Sequence, residues 1–327
     1  NVNVSLSETK ASYFKEQISN CNAKDIYRTL NVLLNNNSNR ILPDADSSVA
    51  LANDFCQFFS NKVKNLRSCI DEMNVTSPEI CSDGRCLPSS HFTDFEPLSC
   101  DEVMIILQKS STKSCILDPI PTWLLKRHLS IFVPKLTELI NASLSTGVFP
   151  SALCDAAVTP ILKKPSLNKN EMKNYRPVSN IRFLGKVIEK VVSSQLKSYI
   201  NANGLAEPLQ SAYRACHGTE TALLCVQNSI LQAIDQQRAV FLILLDLSAA
   251  FDTLDHNIML SRFQKQFGIT GTALQWFQSY FTQRKNHVHI NGANSDVVPL
   301  VWGVPQGSVI GPQSFPMYVQ PVCDILR

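Results

Sequence analysis

The stretch VFLILLDLSAAFDTLDH, residues 240–256, sets six apolar side chains, Val240 to Leu245, directly before the carboxylate of Asp246. An apolar run of this length without polar alternation predicts a strand over 240–245 buried on both faces. Asp246 then falls at the strand's carboxyl end, on the rim of a core. A carboxylate there offers the hard oxygen that Mg²⁺ prefers while leaving positions for substrate phosphates. Taken alone, the same Asp reads first as the cap of a following helix.

Composition allows a large core. The chain has 327 residues, 44% of them hydrophobic, enough for two or three compact units. Its net charge of +3 does not announce a nucleic-acid partner by a global field, although a local basic cleft remains open. The eleven cysteines are irregularly spaced and form no repeated CxxC pair, which predicts reduced thiols in an intracellular, cytoplasmic or nuclear setting. Cys81, Cys86 and His91 complete no common zinc spacing and read as ordinary loop residues. No segment approaches the eighteen or so consecutive apolar residues of a membrane span, and NVNVSLSETK is not a signal peptide. The first residue is Asn rather than Met, so the expectation is an excerpt of a longer product.

Three stretches follow from patterning. Residues 1–90 mix Asn, Ser and charge with a helical stripe (Ala50, Phe55, Phe58, Phe59, Val63), predicting a helical linker region on a tether. The turn-rich segment 77–90 marks its end. In residues 91–327, a helix is predicted over 99–109, capped by Ser99 with Glu102 in capping-box position, and another over about 121–145. A strand is predicted over 156–163 and a helix over 181–200. The latter has an apolar stripe from Ile181 to Tyr199, with Arg182, Lys186, Lys190 and Lys197 largely outside it. Thr219 and Thr221 mark another helix start. Asp252, Asp255 and His256 are expected to cap and orient a helix over 255–267. HVHI (287–290), the turn pair Asn291-Gly292 and a second strand near 296–301 make a hairpin.

That hairpin delivers Pro305-Gln306-Gly307-Ser308. Gly307 permits close approach of backbone to a flat base or sugar, and the Gln306 amide can bond a nucleotide or template. Lys163, Lys164 and Arg176 would suit a triphosphate, though a solvated basic loop is the default for lysines. Phe251 lies five residues past Asp246, where a ring can exclude a 2′-OH; the alternative is an ordinary core aromatic.

Four motifs occur in one order: YRPVSNIRFLGKVIEKVVSSQL (175–196), QSAYRACHGTETALL (210–224), VFLILLDLSAAFDTLDH (240–256) and GVPQGSVIGPQSF (303–315). Together they resemble the reverse transcriptase of non-LTR, LINE-type retrotransposons. DPIPTWLLK (118–126) and AVTPILKKP (157–165) resemble that family's finger region. The resemblance covers roughly residues 90–327 and implies an α+β fold, right-hand polymerase fingers with part of the palm. It implies RNA-directed DNA synthesis on an RNA template and DNA primer from deoxynucleoside triphosphates, with no membrane. Asp246 corresponds to the first catalytic, metal-binding aspartate, and the Leu247 carbonyl faces the same Mg²⁺ (or Mn²⁺). Lys163 or Lys164 with Arg176 match the residues that reach the incoming nucleotide. Gln210 and Arg214 match the template segment, where Ala212 and Tyr213 replace the usual Gly and Phe; a surface ion pair is the plainer reading of Arg214.

The family's YADD-like hairpin does not occur before Arg327, so the expectation is a truncated chain that is inactive alone. Gln313 replaces an apolar residue, and Pro316 falls inside a predicted helix at a cost of roughly 3 kcal/mol, as in a decayed copy. Two other readings stay open: a nonenzymatic nucleic-acid-binding remnant, and an RNA-templated RNA polymerase.

Overall fold

The computed structural model describes residues 9, 11–13, 15, 42–73, 90–247 and 249–325. It is a mixed α and β structure whose chain divides into two compact units, residues 1–44 with 161–175, and residues 45–160 with 176–327. In the first unit the lysine-rich loop closes on itself. Asn174 O accepts from Lys163 N at 2.9 Å, Asn168 O accepts from Asn174 Nδ2 at 2.9 Å, and Lys169 pairs with Asp44 at 2.7 Å.

The second unit opens with α1 (Ser48–Glu72), which buries Leu51, Ala52, Phe55 and Cys56. It packs against β3 (Lys285–Ile290) and β4 (Ala293–Asn294), so this helix is not loose on a tether. Next come α2 (Cys100–Lys109), α3 (Thr122–Arg127) and α4 (Leu129–Thr146). The capping box forms as expected: Ser99 Oγ accepts from Glu102 N, and the Glu102 carboxylate accepts from Ser99 N at 2.9 Å. The helix expected over 121–145 is instead two, because His128 leaves helical geometry at φ −122° and ψ 40°. Gly147, at φ +67°, ends α4 in the left-handed conformation that Gly adopts without a Cβ clash.

β1 (Asp155–Leu162) and β2 (Tyr175–Ile181) join β3 and β4 in the order β2-β1-β3-β4, with β5 (Val298–Pro299) also paired to β3. β1 runs parallel to β3, with Asp155 opposite Lys285 and Val158 opposite Val288. Asn291 (φ +49°) and Gly292 (φ +83°) make the two-residue turn that their sequence predicts. The returning strand is broken into β4 and β5 where Asp296 N turns to donate to Asn53 Oδ1 on α1 at 2.9 Å.

Helices α5 (Phe183–Ala202) and α8 (Gly271–Thr282) are large contributors to the core, and α7 (His256–Lys265) adds Met259 and Phe263. Trp276 is its centre. It stacks on Tyr280 at 5.3 Å, meets Phe149 edge-on at 5.5 Å, and its Nε1 donates to Ser143 Oγ at 3.0 Å. Such aromatic pairs each add about 0.5–1.5 kcal/mol beyond the area they bury.

The largest departure from expectation is the stretch that opened the sequence reading. Residues 239–247 form no regular secondary structure and join no sheet among the described residues, and Phe241 and Leu244 are 89% and 84% exposed. The preceding helix α6 (Thr219–Asp235) likewise has no buried side chain. An apolar run reports that a strand gains from burial, but it does not contain its neighbours, and β1 and β3 already satisfy each other in the sheet. α9 (Gly311–Ile325) runs through both Pro316 and Pro321. Burial of Met317, Gln320 and Pro321 along it offsets the lost backbone bonds. Gln313 Oε1 accepts from Ser193 Oγ at 2.8 Å, which gives that polar residue a partner on α5.

Candidate nucleotide and template site

The site is built where the segment after Asp246 meets the loop before α9. Ala249 (φ +53°) starts a tight turn whose carbonyl accepts from Asp252 N at 2.8 Å and Thr253 N at 3.1 Å. The turn is then fixed to residues 303–304. Phe251 O accepts from Val304 N at 2.9 Å, Leu254 O from Gly303 N at 2.7 Å, and Gly303 O from His256 Nε2 at 2.7 Å. The carbonyl can only accept, so His256 carries its proton on Nε2. Burial holds the His256 imidazole below its usual range, against the opposing pull of the Gly303 carbonyl and of Asp255. Asp255 caps α7, its Oδ1 accepting from Asn257 N at 2.9 Å and Ile258 N at 3.1 Å, while its Oδ2 pairs with Arg67 of α1 at 2.7 Å.

Close approach requires glycine twice in the 303–307 loop. Gly303 has φ +79°, and a Cβ would stand 2.6 Å from the carbonyl oxygens of Phe251 and Asp252. Gly307 has φ +118° and lies against Ser179 O of β2, 2.9 Å from where a Cβ would be. Gln306 O accepts from Ser179 N at 2.8 Å, and its side-chain Nε2 donates to Asp252 Oδ1 at 2.8 Å and Oδ2 at 3.1 Å. The loop is also tied to α5, where the buried Glu189 carboxylate accepts from Val309 N at 2.6 Å and from Tyr280 Oη at 3.0 Å.

Phe251 is half-buried against the core and lies between two rings, Tyr213 at 6.3 Å edge-on and Phe315 at 5.1 Å. The three rings bring the 210–214 loop, the 246–252 segment and α9 together. Gln210 and Arg214 line a pocket of about 210 Å³ with Tyr213, Lys197 of α5 and Pro316 of α9. Both side chains are also bonded within their own loop, Arg214 Nη1 to Pro208 O at 2.9 Å and Gln210 Nε2 to Ala212 O at 3.2 Å.

The remaining expected site residues are exposed. Asp246 and Leu247 are exposed at the end of the unpaired 239–247 stretch. Arg176 is exposed on β2. Lys163 and Lys164 are exposed in the loop of the first unit, where Lys163 Nζ donates to Lys173 O at 2.7 Å. Of the basic side chains on α5, Lys190 is half-buried and donates to Ser110 Oγ at 2.9 Å; burial, with Lys126 and Lys186 nearby, holds its ammonium below the usual lysine range.

The Asp246 carboxylate has the oxygen chemistry a hard divalent cation takes. Among the described residues, however, no group of three or more His, Cys, Asp and Glu side chains is placed to hold a metal ion. These residues do not by themselves compose a two-ion centre. Cys81 and Cys86 lie outside the described residues, His91 is exposed, and Cys56, Cys69, Cys100, Cys115, Cys154, Cys216 and Cys225 are thiols outside any disulfide. No described helix is long and apolar enough to cross a membrane.

Sequence reading missed Glu189 and the partnership of Asp252 with Gln306. Glu189 had a signal: it lies three and seven residues before Val192 and Leu196, within the apolar stripe, where a carboxylate must be buried and paired. Asp252 and Gln306 are 54 residues apart, and no local pattern links them.

The family described as "Reverse transcriptase (RNA-dependent DNA polymerase)" matches residues 161–327. The chain is 28% identical over 183 residues to the RNA-directed DNA polymerase from mobile element jockey of Drosophila melanogaster, covering 56% of this chain and 20% of that protein. It is 28% identical over 227 residues to the jockey polymerase of Drosophila funebris, covering 68% and 24%. It is 28% identical over 226 residues to the probable RNA-directed DNA polymerase from transposon X-element of Drosophila melanogaster, covering 69% and 24%. The chain thus spans about a fifth to a quarter of the length of these relatives. With the family matched over residues 161–327 of 327, the chain belongs to the reverse transcriptase family.

Proposed function

We propose that the chain supplies the nucleotide and template side of an RNA-directed DNA polymerase of a LINE-type retrotransposon. In this reading residues 91–327 are fingers and part of the palm, preceded by a helical region over 1–90. Asp246 and the Leu247 carbonyl face Mg²⁺ (or Mn²⁺), and Lys163, Lys164 and Arg176 receive the triphosphate. Phe251 lies under the sugar, Gln306 and Gly307 meet the nucleotide, and Gln210 and Arg214 meet the template. The partners are an RNA template, a DNA primer and deoxynucleoside triphosphates, in the cytoplasm or nucleus.

The observation that carries this reading is the docking of the Gly303–Gly307 loop onto the Phe251–Leu254 turn. It joins the segment carrying the Phe251 ring to the loop carrying the Gln306 amide and the bare backbone of Gly307, groups suited to recognition of a flat base and sugar. The site's contribution is binding and orientation, which alone lower a polymerisation barrier substantially. A nucleic-acid-binding role without catalysis is the second reading, favoured by the isolated exposure of Asp246.

Retention of labelled dTTP by the chain on poly(rA)·oligo(dT) tests the proposal. Retention weakened in Arg176→Ala and Gln306→Ala is expected. Equal retention in both variants would contradict the assigned roles, and template–primer binding without dTTP retention would favour the second reading.

A further inference from the structure

We propose that Asp252 is a positioning residue that fixes the amide of Gln306 with its carbonyl turned outward, so that Gln306 meets the nucleotide as a hydrogen-bond acceptor. The inference rests on the reading of this site as a nucleotide site.

An amide side chain is ambiguous by itself, because its oxygen and nitrogen ends have nearly the same shape and opposite hydrogen-bonding character. An ionised carboxylate removes the ambiguity, since it accepts only. Both Asp252 oxygens lie within reach of Gln306 Nε2, at 2.8 and 3.1 Å, so the nitrogen is committed to Asp252 and Oε1 is directed elsewhere. The main chain of Gln306 is held independently, its carbonyl accepting from Ser179 N at 2.8 Å. Backbone and side chain are thus fixed from opposite sides, by β2 and by the 249–253 turn.

Asp252 is also held where a merely structural acid would be poorly placed. Its backbone is pinned beneath Gly303, whose missing Cβ leaves the Asp252 carbonyl room to approach. Burial pushes its carboxyl above the ordinary range, opposed by the Gln306 hydrogen bond and by the charge of Lys62 on α1. A desolvated carboxylate held mainly by a neutral amide is costly. A protonated acid in the same place could donate to Oε1 and let the amide turn round, so ionisation of Asp252 keeps the acceptor facing the nucleotide.

The test compares wild type with Asp252→Ala, Asp252→Asn, Gln306→Ala and the double Ala variant, reading dTTP affinity and poly(rA)·oligo(dT) affinity separately. ¹⁵N-glutamine spectra over pH follow the Gln306 side-chain amide. Asp252→Ala and Gln306→Ala should each weaken dTTP about tenfold, the double variant no further, and template–primer affinity should hold. Asp252→Asn should recover part of the loss, since its Oδ1 still accepts, and should abolish the pH dependence of the Gln306 amide signal. Loss of dTTP in Gln306→Ala but not in Asp252→Ala would overturn the positioning role and leave the nucleotide site standing. Additive losses, or equal losses of dTTP and template–primer, would show a structural role and overturn it. If Asp252→Ala does not fold, the Asn variant decides: an unchanged Gln306 titration contradicts the proposal. A wild-type chain that retains no dTTP would overturn the nucleotide-site reading and this inference together, whatever the amide signal does.

Discussion

Glu189 and Arg284 meet at 3.2 Å with their side chains 0% and 2% exposed, so an ion pair lies inside the core beside the loop that carries Gln306. Arg284 also lies over the Tyr280 ring at 4.0 Å and the Phe149 ring at 4.9 Å. Glu189 in turn receives Val309 N and Tyr280 Oη. Removing one partner of such a pair strands a buried charge. Arg284→Met should therefore cost about 3–5 kcal/mol in urea unfolding, and adding Glu189→Leu should restore part of it. A change within about 0.5 kcal/mol for Arg284→Met would contradict the pairing.

Gly303→Ala tests the docking of the loop on the turn. A methyl there meets two carbonyl oxygens at 2.6 Å and imposes a positive φ on a non-glycine residue. The expected loss is about 1–3 kcal/mol in chemical denaturation, with dTTP retention reduced more than global stability suggests. Wild-type stability and retention would mean that the two segments are not held in register.

His256 predicts a pH dependence. Its folded pKa is lowered, first by burial, so below the ordinary value of about 6.5 the unfolded chain takes up the proton first. The contribution to stability is complete above that value and is lost as pH falls through the folded pKa. His287, also lowered by burial, contributes to the same slope. His256→Gln keeps an N–H for the Gly303 carbonyl and should flatten the slope of Tm with pH below 6.5 without abolishing it. An unchanged slope would contradict the buried neutral imidazole.

Phe251 separates selectivity from packing. If its ring excludes a 2′-OH, Phe251→Ala should raise UTP retention on poly(rA)·oligo(dT) while dTTP retention changes little. Equal loss of both nucleotides would assign the ring to packing between Tyr213 and Phe315.

The parts of the fold legible in sequence are those fixed by local chemistry. Ser99 and Glu102 reciprocate across one helical turn, Asp255 reaches the first amides of its own helix, and Asn291-Gly292 adopt the positive φ that their turn needs. Val240 to Leu245 were misleading because burial of a strand depends on residues elsewhere in the chain. Phe251 and Gln306 are each read from their immediate neighbours, and the structure docks the two segments that carry them. What joins them is tertiary: the carbonyls beneath Gly303, the Asp252 carboxylate and the Glu189 hub lie dozens of residues from what they hold.

Template-directed nucleotide choice is the most direct measure of the central claim, that this site reads a nucleotide against an RNA template. With one chain preparation, labelled dTTP and dGTP are each offered to poly(rA)·oligo(dT) and to poly(rC)·oligo(dG) in Mg²⁺, with UTP as a further competitor on poly(rA). The account predicts dTTP retained on poly(rA), dGTP on poly(rC), neither on the other template, and UTP excluded. Retention indifferent to template, or template–primer binding with no nucleotide retained, would contradict it, and UTP held in preference to dTTP would point to RNA synthesis instead.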